Sequence, residues 1–207
     1  MERWAQVRDG LIEDTIFTVE HEPVITLGKR ASESDILISP EALQAQGIEL
    51  IRIDRGGEAT YHGPGQLVIY PILHTTRWEL GASDLVRGLA GVIQRWLQDL
   101  GIASEWDNEH PGLWVSAGSH PLAPSPAKIT AVGMKIQSGV SRHGAAVNLS
   151  TALDAWSLFV PCGMPGARST SVLAEAPDRL PDLDDAAHAI VHAFAERFGF
   201  TIEVEAP

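Results

Sequence analysis

The chain has 207 residues, 44% hydrophobic and 20% charged. That is ordinary globular usage and enough to bury one sizeable core, so disorder and a coiled coil are excluded and a single domain over residues 1–207 is expected. No apolar run approaches the roughly 18 residues of a membrane span, and the opening MERWAQVRDG lacks the apolar stretch of a signal peptide, so a soluble, cytoplasmic protein is expected. A net charge of −12 opposes general nucleic-acid binding, and the one cysteine, Cys162, can form no internal disulfide.

TIFTVEH (Thr15 to His21) has the β-branched and aromatic content of a strand, and EPVITLGKR continues as a second extended piece punctuated by Pro23 and Gly28. SPEALQAQG (Ser39 to Gly47) reads as a short helix with Ser39 as N-cap, Pro40 at its first position and Gly47 as its stop. IELIRID then leads into a glycine-rich stretch, RGGEATYHGPGQ (Arg55 to Gln66), and LVIYPIL (Leu67 to Leu73) leads out, so this stretch is expected to join two strands. From Ser83 to Gly101 the spacing of Leu85, Leu89, Val92, Ile93, Trp96 and Leu100 predicts an amphipathic helix capped by Ser83 and Gly101. GLWV (Gly112 to Val115) is a short strand, and 117–127 a proline-rich loop. Lys128 to Gln137 and Ser141 to Ser150 form a hairpin turning at Ser138 and Gly139. Leu183 to Gly199 is a second amphipathic helix, followed by a last strand in TIEVE. Strands and helices alternate irregularly with adjacent hairpins, which points to an α+β fold with a mixed sheet flanked by helices.

Cys162 lies between Pro161 and Gly163 at the end of an apolar run, a setting open both to an inert buried thiol and to a nucleophile. An ordinary thiol is only a few per cent ionised at neutral pH, so a nucleophile would need a partner from elsewhere in the chain. Lys128 opens an otherwise apolar strand, where a lysine either protects a sheet edge or does chemistry. His62 and His143 each precede a glycine and read as turn residues. No His, Cys or carboxylate spacing suggests a metal site, and the glycine-rich stretch matches neither a phosphate loop nor a dinucleotide fingerprint. Eight of the 15 basic residues (Lys29, Arg30, Arg52, Arg55, Lys128, Lys135, Arg142 and Arg168) fall in or beside these stretches, which would give an acidic molecule a basic face.

HEPVITLGKR, RGGEATYHGPGQLVIYPIL, GLWV, KITAVGMKI, SRHGAAVNLS and FVPCGMPGARSTSV resemble, in the same order, the segments of the octanoyltransferases of lipoate biosynthesis, over roughly residues 15 to 173. The resemblance implies the catalytic-domain fold of the biotin and lipoate protein ligases, which is class II synthetase-like. It also implies transfer of an octanoyl group from octanoyl acyl carrier protein to a lysine of lipoyl domains, those of 2-oxoacid dehydrogenases and the glycine cleavage H protein. No cofactor, metal, nucleic acid or membrane is implied, and a monomer is expected. By position, Cys162 looks like the acyl-accepting nucleophile and Lys128 like the lysine that activates it. Arg55, Gly56, Gly57, Glu58, Ala59, Thr60, Tyr61 and His62, with Ala131, Val132 and Gly133 and with Gly144, Ala145 and Ala146, resemble the substrate-binding segments. Tyr61, Val132 and Val147 are expected to line an apolar slot for the acyl chain. Ile25 stands where the family usually has tyrosine, and the loop before Lys128 is longer than usual. Alternative readings are an ATP-dependent lipoate or biotin ligase, an amidotransferase between lipoyl domains, and a non-catalytic acyl-protein binding module.

Overall fold

The computed structural model describes residues 2–116 and 126–204. The helices are α1 (Glu2–Arg8), α2 (Pro40–Ala45), α3 (Ala82–Asp99), α4 (Val172–Glu175) and α5 (Leu183–Phe198). The strands are β1 (Thr15–Val19), β2 (Val24–Leu27), β3 (Glu49–Arg52), β4 (Ala59–His62), β5 (Gln66–Ile72), β6 (Ser104–Asp107), β7 (Gly112–Val115), β8 (Ala127–Gln137), β9 (Val140–Asn148) and β10 (Arg168–Ser169).

Two sheets result. The larger runs β1-β5-β9-β8-β7-β6 with antiparallel neighbours, and β10 pairs in parallel with the first residues of β8, beyond the end of β9. The smaller runs β3-β2-β4, parallel on one side of β2 and antiparallel on the other. α3 and α5 bury their apolar stripes on the larger sheet, where Leu85, Leu89, Ile93 and Leu97 meet Leu67, Ile69, Ile129, Val147 and Phe194. The smaller sheet has its own core of Ile25, Leu27, Leu43, Tyr61 and Phe159.

Local chemistry explains most boundaries. Ser39 Oγ accepts from Ala42 N at 3.2 Å to start α2. Asp182 Oδ1 accepts from Asp185 N at 2.7 Å to start α5, and Gly199, at φ 72°, ends it. The expected hairpin turns at Ser138 and Gly139, both with positive φ.

Several expectations need correction. Ser83 does not cap α3: Gly81 precedes the helix, and the Asp84 carboxylate accepts from Gly81 N at 2.8 Å. The glycine-rich stretch is not a simple loop, because ATYH forms β4 against β2; four residues bracketed by glycines are too few for an alternating pattern to show. Thr201 to Val204 make no strand. Phe200 packs on Phe198 and Trp78, which anchors the chain against α5 rather than along a strand. β6 was not foreseen, and most of the proline-rich loop, 117–125, lies outside the described residues.

Gly144 shows how tightly the larger sheet is packed. A Cβ there would clash with the Ile69 carbonyl oxygen, a backbone atom in the adjoining strand. Gly144→Ala should therefore cost about 3 kcal/mol, the range of core overpacking, and lower the melting temperature by roughly 6–12 °C in calorimetry.

Candidate active site

The site begins with a break in alternation on β8. Leu113 faces Thr130 across the ladder while Trp114 faces Lys128, so Ile129 is the extra residue of a bulge. Ile129 and Thr130 are both fully buried. Lys128 and Ala131 are thereby turned together into a cavity of about 250 Å³ between the two sheets. A central strand, not a sheet edge, carries Lys128, which is 8% exposed.

Cys162 reaches the same cavity from the other side. The apolar run before it forms no strand: the chain passes through the short 3-10 turn Pro161–Gly163, with Cys162 at φ 55° and ψ 26°, a left-handed conformation that costs a non-glycine residue of order 1–3 kcal/mol. Asp35 O accepts from Val160 N at 2.7 Å and so fixes the approach to this turn. Lys128 Nζ donates to Cys162 Sγ at 2.9 Å and to Pro111 O at 3.3 Å, and stands 4.8 Å from the centre of the Trp114 ring.

The cavity floor carries almost no side chain. Ala131 faces Ala146 and Gly133 faces Gly144 across β8 and β9, and all four line the cavity. Val68 and Tyr70 continue this surface on β5, and Thr60 and His62 close it from β4. Of the fourteen residues expected to bind substrate, thirteen line the cavity. Tyr61 does not. Alternation on β4 turns it into the smaller core, edge-on against Trp156 at 5.2 Å. Val147 likewise points into the larger core, leaving Val132 as the one foreseen slot residue on the cavity.

A chain of amides fixes His62. Asn148 Nδ2 donates to Thr170 O at 2.9 Å, so its Oδ1 accepts from Gln66 Nε2, at 2.9 Å. Gln66 Nε2 also donates to Tyr61 O, at 3.1 Å, which leaves Gln66 Oε1 to accept from His62 Nδ1 at 2.7 Å. Burial holds the His62 imidazole down to about 4, so it is neutral with the Nε2 lone pair free of this chain. Burial also pushes the Tyr70 phenol up to about 12, and it donates to His21 Nε2 at 2.8 Å. His62 ends a strand and His143, at φ 61°, lies inside β9, so neither is the expected turn residue.

The mouth is braced by Asp54, which sequence reasoning passed over. Its carboxylate takes Lys135 Nζ at 2.9 Å, Arg142 Nη1 at 2.8 Å and His143 Nε2 at 3.0 Å. The Lys135 hydrogen bond, with His143 and Arg142 behind it, holds Asp54 well below the usual carboxylate range. Of the anticipated basic face, Lys135 and Arg142 share the one Asp54 carboxylate, Arg55 and Lys128 are buried and Arg168 is half-buried, while Lys29, Arg52 and Arg30, the last paired with Glu58, are exposed. Among the described residues no cluster of three His, Cys, Asp or Glu could hold a metal, and no helix is long and apolar enough to cross a membrane.

A strand lysine and a turn cysteine thus meet at the wall of one cavity. Residues 1–195 match the family described as lipoyl protein ligase A/B catalytic domain, and the chain belongs to that family. Within it, the chain stands with the octanoyltransferases. It is 41% identical over 166 residues to an octanoyltransferase of Desulfotalea psychrophila, covering 80% of this chain and 71% of the relative. It is 39% identical over 198 residues to one of Chloroflexus aurantiacus, covering 95% and 85%. Among solved structures, a lipoate-protein ligase A bound with ATP superposes with a TM-score of 0.69 at 17% identity, covering 99% of this chain and 84% of the other. A bipartite lipoate protein ligase of Thermoplasma acidophilum gives 0.69 at 17% identity, covering 99% and 82%. These two establish the shared fold.

The depressed His62 value has a sign that can be tested. The unfolded chain binds the proton near the ordinary 6.5 and the folded chain only near 4, so stability is full above 6.5 and is lost as pH falls toward 4. That gap corresponds to about 3 kcal/mol. Asp54 acts only below this window, because its stabilisation is lost on protonation beneath the usual carboxylate range. Urea midpoints measured from pH 6.5 to 4.5 should fall less for His62→Gln than for the parent chain.

Proposed function

We propose that the chain takes an octanoyl group from octanoyl acyl carrier protein as a thioester on Cys162, and passes it to a lysine of a lipoyl domain as an amide. The observation that carries this reading is the 2.9 Å contact of Lys128 Nζ with Cys162 Sγ at the wall of the cavity. In the first transfer Lys128 takes the thiol proton, and the sulfur attacks the thioester carbonyl. The carbon–sulfur bond to the carrier breaks, and Lys128 returns the proton to the departing thiol. In the second, the acceptor amine attacks the acyl enzyme, its proton passes to Lys128, and Cys162 leaves as thiolate. A thioester is already activated, so no nucleotide is consumed, and ping-pong kinetics follow.

The acyl chain lies over the Ala131–Ala146 and Gly133–Gly144 pairs, where absent side chains leave it room. Lipoyl domains of 2-oxoacid dehydrogenases and the glycine cleavage H protein are the acceptors in this reading. The enzyme works as a cytoplasmic monomer. Lys29, Arg30 and Arg52 are exposed at the ends of β2 and β3, with Arg30 on the cavity rim, and suit acidic protein substrates.

Intact mass after incubation with octanoyl acyl carrier protein tests the chemistry. The chain should gain one octanoyl group, Cys162→Ser none, and Lys128→Met should acylate about 10²–10⁴-fold more slowly, the usual worth of a positioned acid–base group. Octanoylation of a lipoyl domain from free octanoate and ATP, retained in Cys162→Ser, would replace this reading with a ligase. Turnover at subsaturating carrier protein should also fall several-fold as salt rises from about 0.05 to 0.5 M, because exposed charges are screened over that range.

A further inference from the structure

Acyl transfer through Cys162 and Lys128 leaves one charge in the cavity without a use. Arg55 is 9% exposed, and its guanidinium meets neutral partners throughout: Nη2 donates to Thr26 O at 2.7 Å and Thr26 Oγ1 at 2.9 Å, Nε to Thr26 Oγ1 at 3.2 Å, and Nη1 to Gly56 O at 3.0 Å. Among the described residues no carboxylate forms an ion pair with it. A desolvated cation is costly unless an anion answers it, and a slot for a hydrocarbon chain supplies none.

The groups facing the cavity can be taken strand by strand. From β4 and β5 come His62, held neutral, and Tyr70, whose phenol burial pushes up to about 12, so neither is an anion near neutral pH. From β9 comes His143, lowered by burial and turned to Asp54. From β8 comes a second cation, Lys128, with His110 next to it on the loop before β7 and Arg168 lining the recess on the far side of Cys162. Glu58 is the one cavity carboxylate among the described residues. Its oxygens lie beside Gly163, and Arg30 Nε holds it at 3.3 Å. The remaining group that can carry a negative charge is Cys162. Burial lowers Arg55 to about 10, which leaves it charged at neutral pH, and negative charge on Cys162 first, then on Tyr70 and Glu58, acts in the opposite direction.

We propose that Arg55 is the second cation of the Cys162 site, acting across the cavity with Lys128 to favour the thiolate over the thiol. The assignment rests on Cys162 being the acyl-accepting nucleophile. It makes Arg55 a positioning residue, since it acts through Cys162. It also gives the second transfer a direction. Acylation removes the charge that Arg55 faces; when the acceptor nitrogen bonds to the acyl carbon, the electron pair of the breaking carbon–sulfur bond returns to Sγ and restores it. The same cation therefore favours attack by Cys162 and its later departure.

Alkylation of the full chain by iodoacetamide, followed by intact mass across a pH series, reads the thiolate without any acyl donor. In Arg55→Gln the pH of half-maximal alkylation should rise by about one unit, the lower end of what a nearby opposite charge contributes. Arg55→Lys should recover most of that rise, and the rate reached at high pH should match the parent in both. Arg55→Met repeats the measurement should the glutamine chain fail to fold. A purely structural role would lower the melting temperature or the limiting rate while leaving the midpoint in place. A folded Arg55→Gln or Arg55→Met chain with the parent midpoint overturns the proposal, as does a rise equally large in Arg55→Lys. An octanoyl adduct on the parent with an unmoved midpoint sinks the Arg55 assignment alone; a moved midpoint with no adduct sinks the transfer reading alone.

Discussion

A lysine nitrogen 2.9 Å from a cysteine sulfur, on a side chain 8% exposed and braced by a carbonyl and an indole ring, is the contact on which the rest of this structure depends. A lysine on a central strand has no reason to survive there unless the strand bends to present it and another segment arrives to meet it. The bulge at Ile129 does the first, since without it Lys128 and Ala131 would face opposite sides of the sheet. β10 helps with the second. Ser169 pairs with Lys128 and Thr170 N donates to Lys128 O at 2.9 Å, so the chain leaving the cysteine turn is stitched to the lysine's own backbone. Seven residues separate Cys162 from that stitch, which confines both partners to one small region.

The polar groups behind the floor follow the same economy. His62, Gln66 and Asn148 would each be costly in a dry interior, and each is answered in a sequence that ends on Thr170 O, the residue whose N–H holds Lys128. The amide chain therefore ties the β4 roof to the strand carrying the lysine, and it leaves the cavity side of β8 and β9 to alanine and glycine. The polar frame thus lies outside the small-residue surface, in the layer that joins the two sheets.

Much of this was legible in the sequence. KITAVG, HGAA and PCG carry the lysine, the small-residue floor and the cysteine, and the residues taken from the matching segments line the cavity with the exception of Tyr61. Tyr61 was misplaced because a motif gives membership in a segment but not the face of the strand, and β4 itself was too short to be seen as a strand. The bulge left no mark in composition. Asp54 was invisible for another reason. Its partners lie more than 80 residues away on β8 and β9, and nothing local distinguishes it from a solvated turn aspartate. TIEVE has a strand's composition and no edge to pair with, since the aromatic packing of Phe200 decides where the chain goes.

RGGEATYHGPGQ shows how one stretch can look like an anion cradle and be something else. A phosphate loop offers backbone N–H groups to its ligand. Here it is the carbonyls that are engaged, because Arg55, Gly57 and Glu58 accept from the N–H groups of Lys29, Arg30 and Gly28 at 3.1, 3.1 and 3.2 Å. The stretch clasps the end of β2. The clasp is so close that a Cβ on Gly28 would clash with the Gly57 oxygen, which is why glycine lies on both sides of it. With those carbonyls spent on the scaffold, the stretch lines the cavity from Arg55 through Thr60 and again at His62. Its glycines thus serve the placement of a cation and a wall.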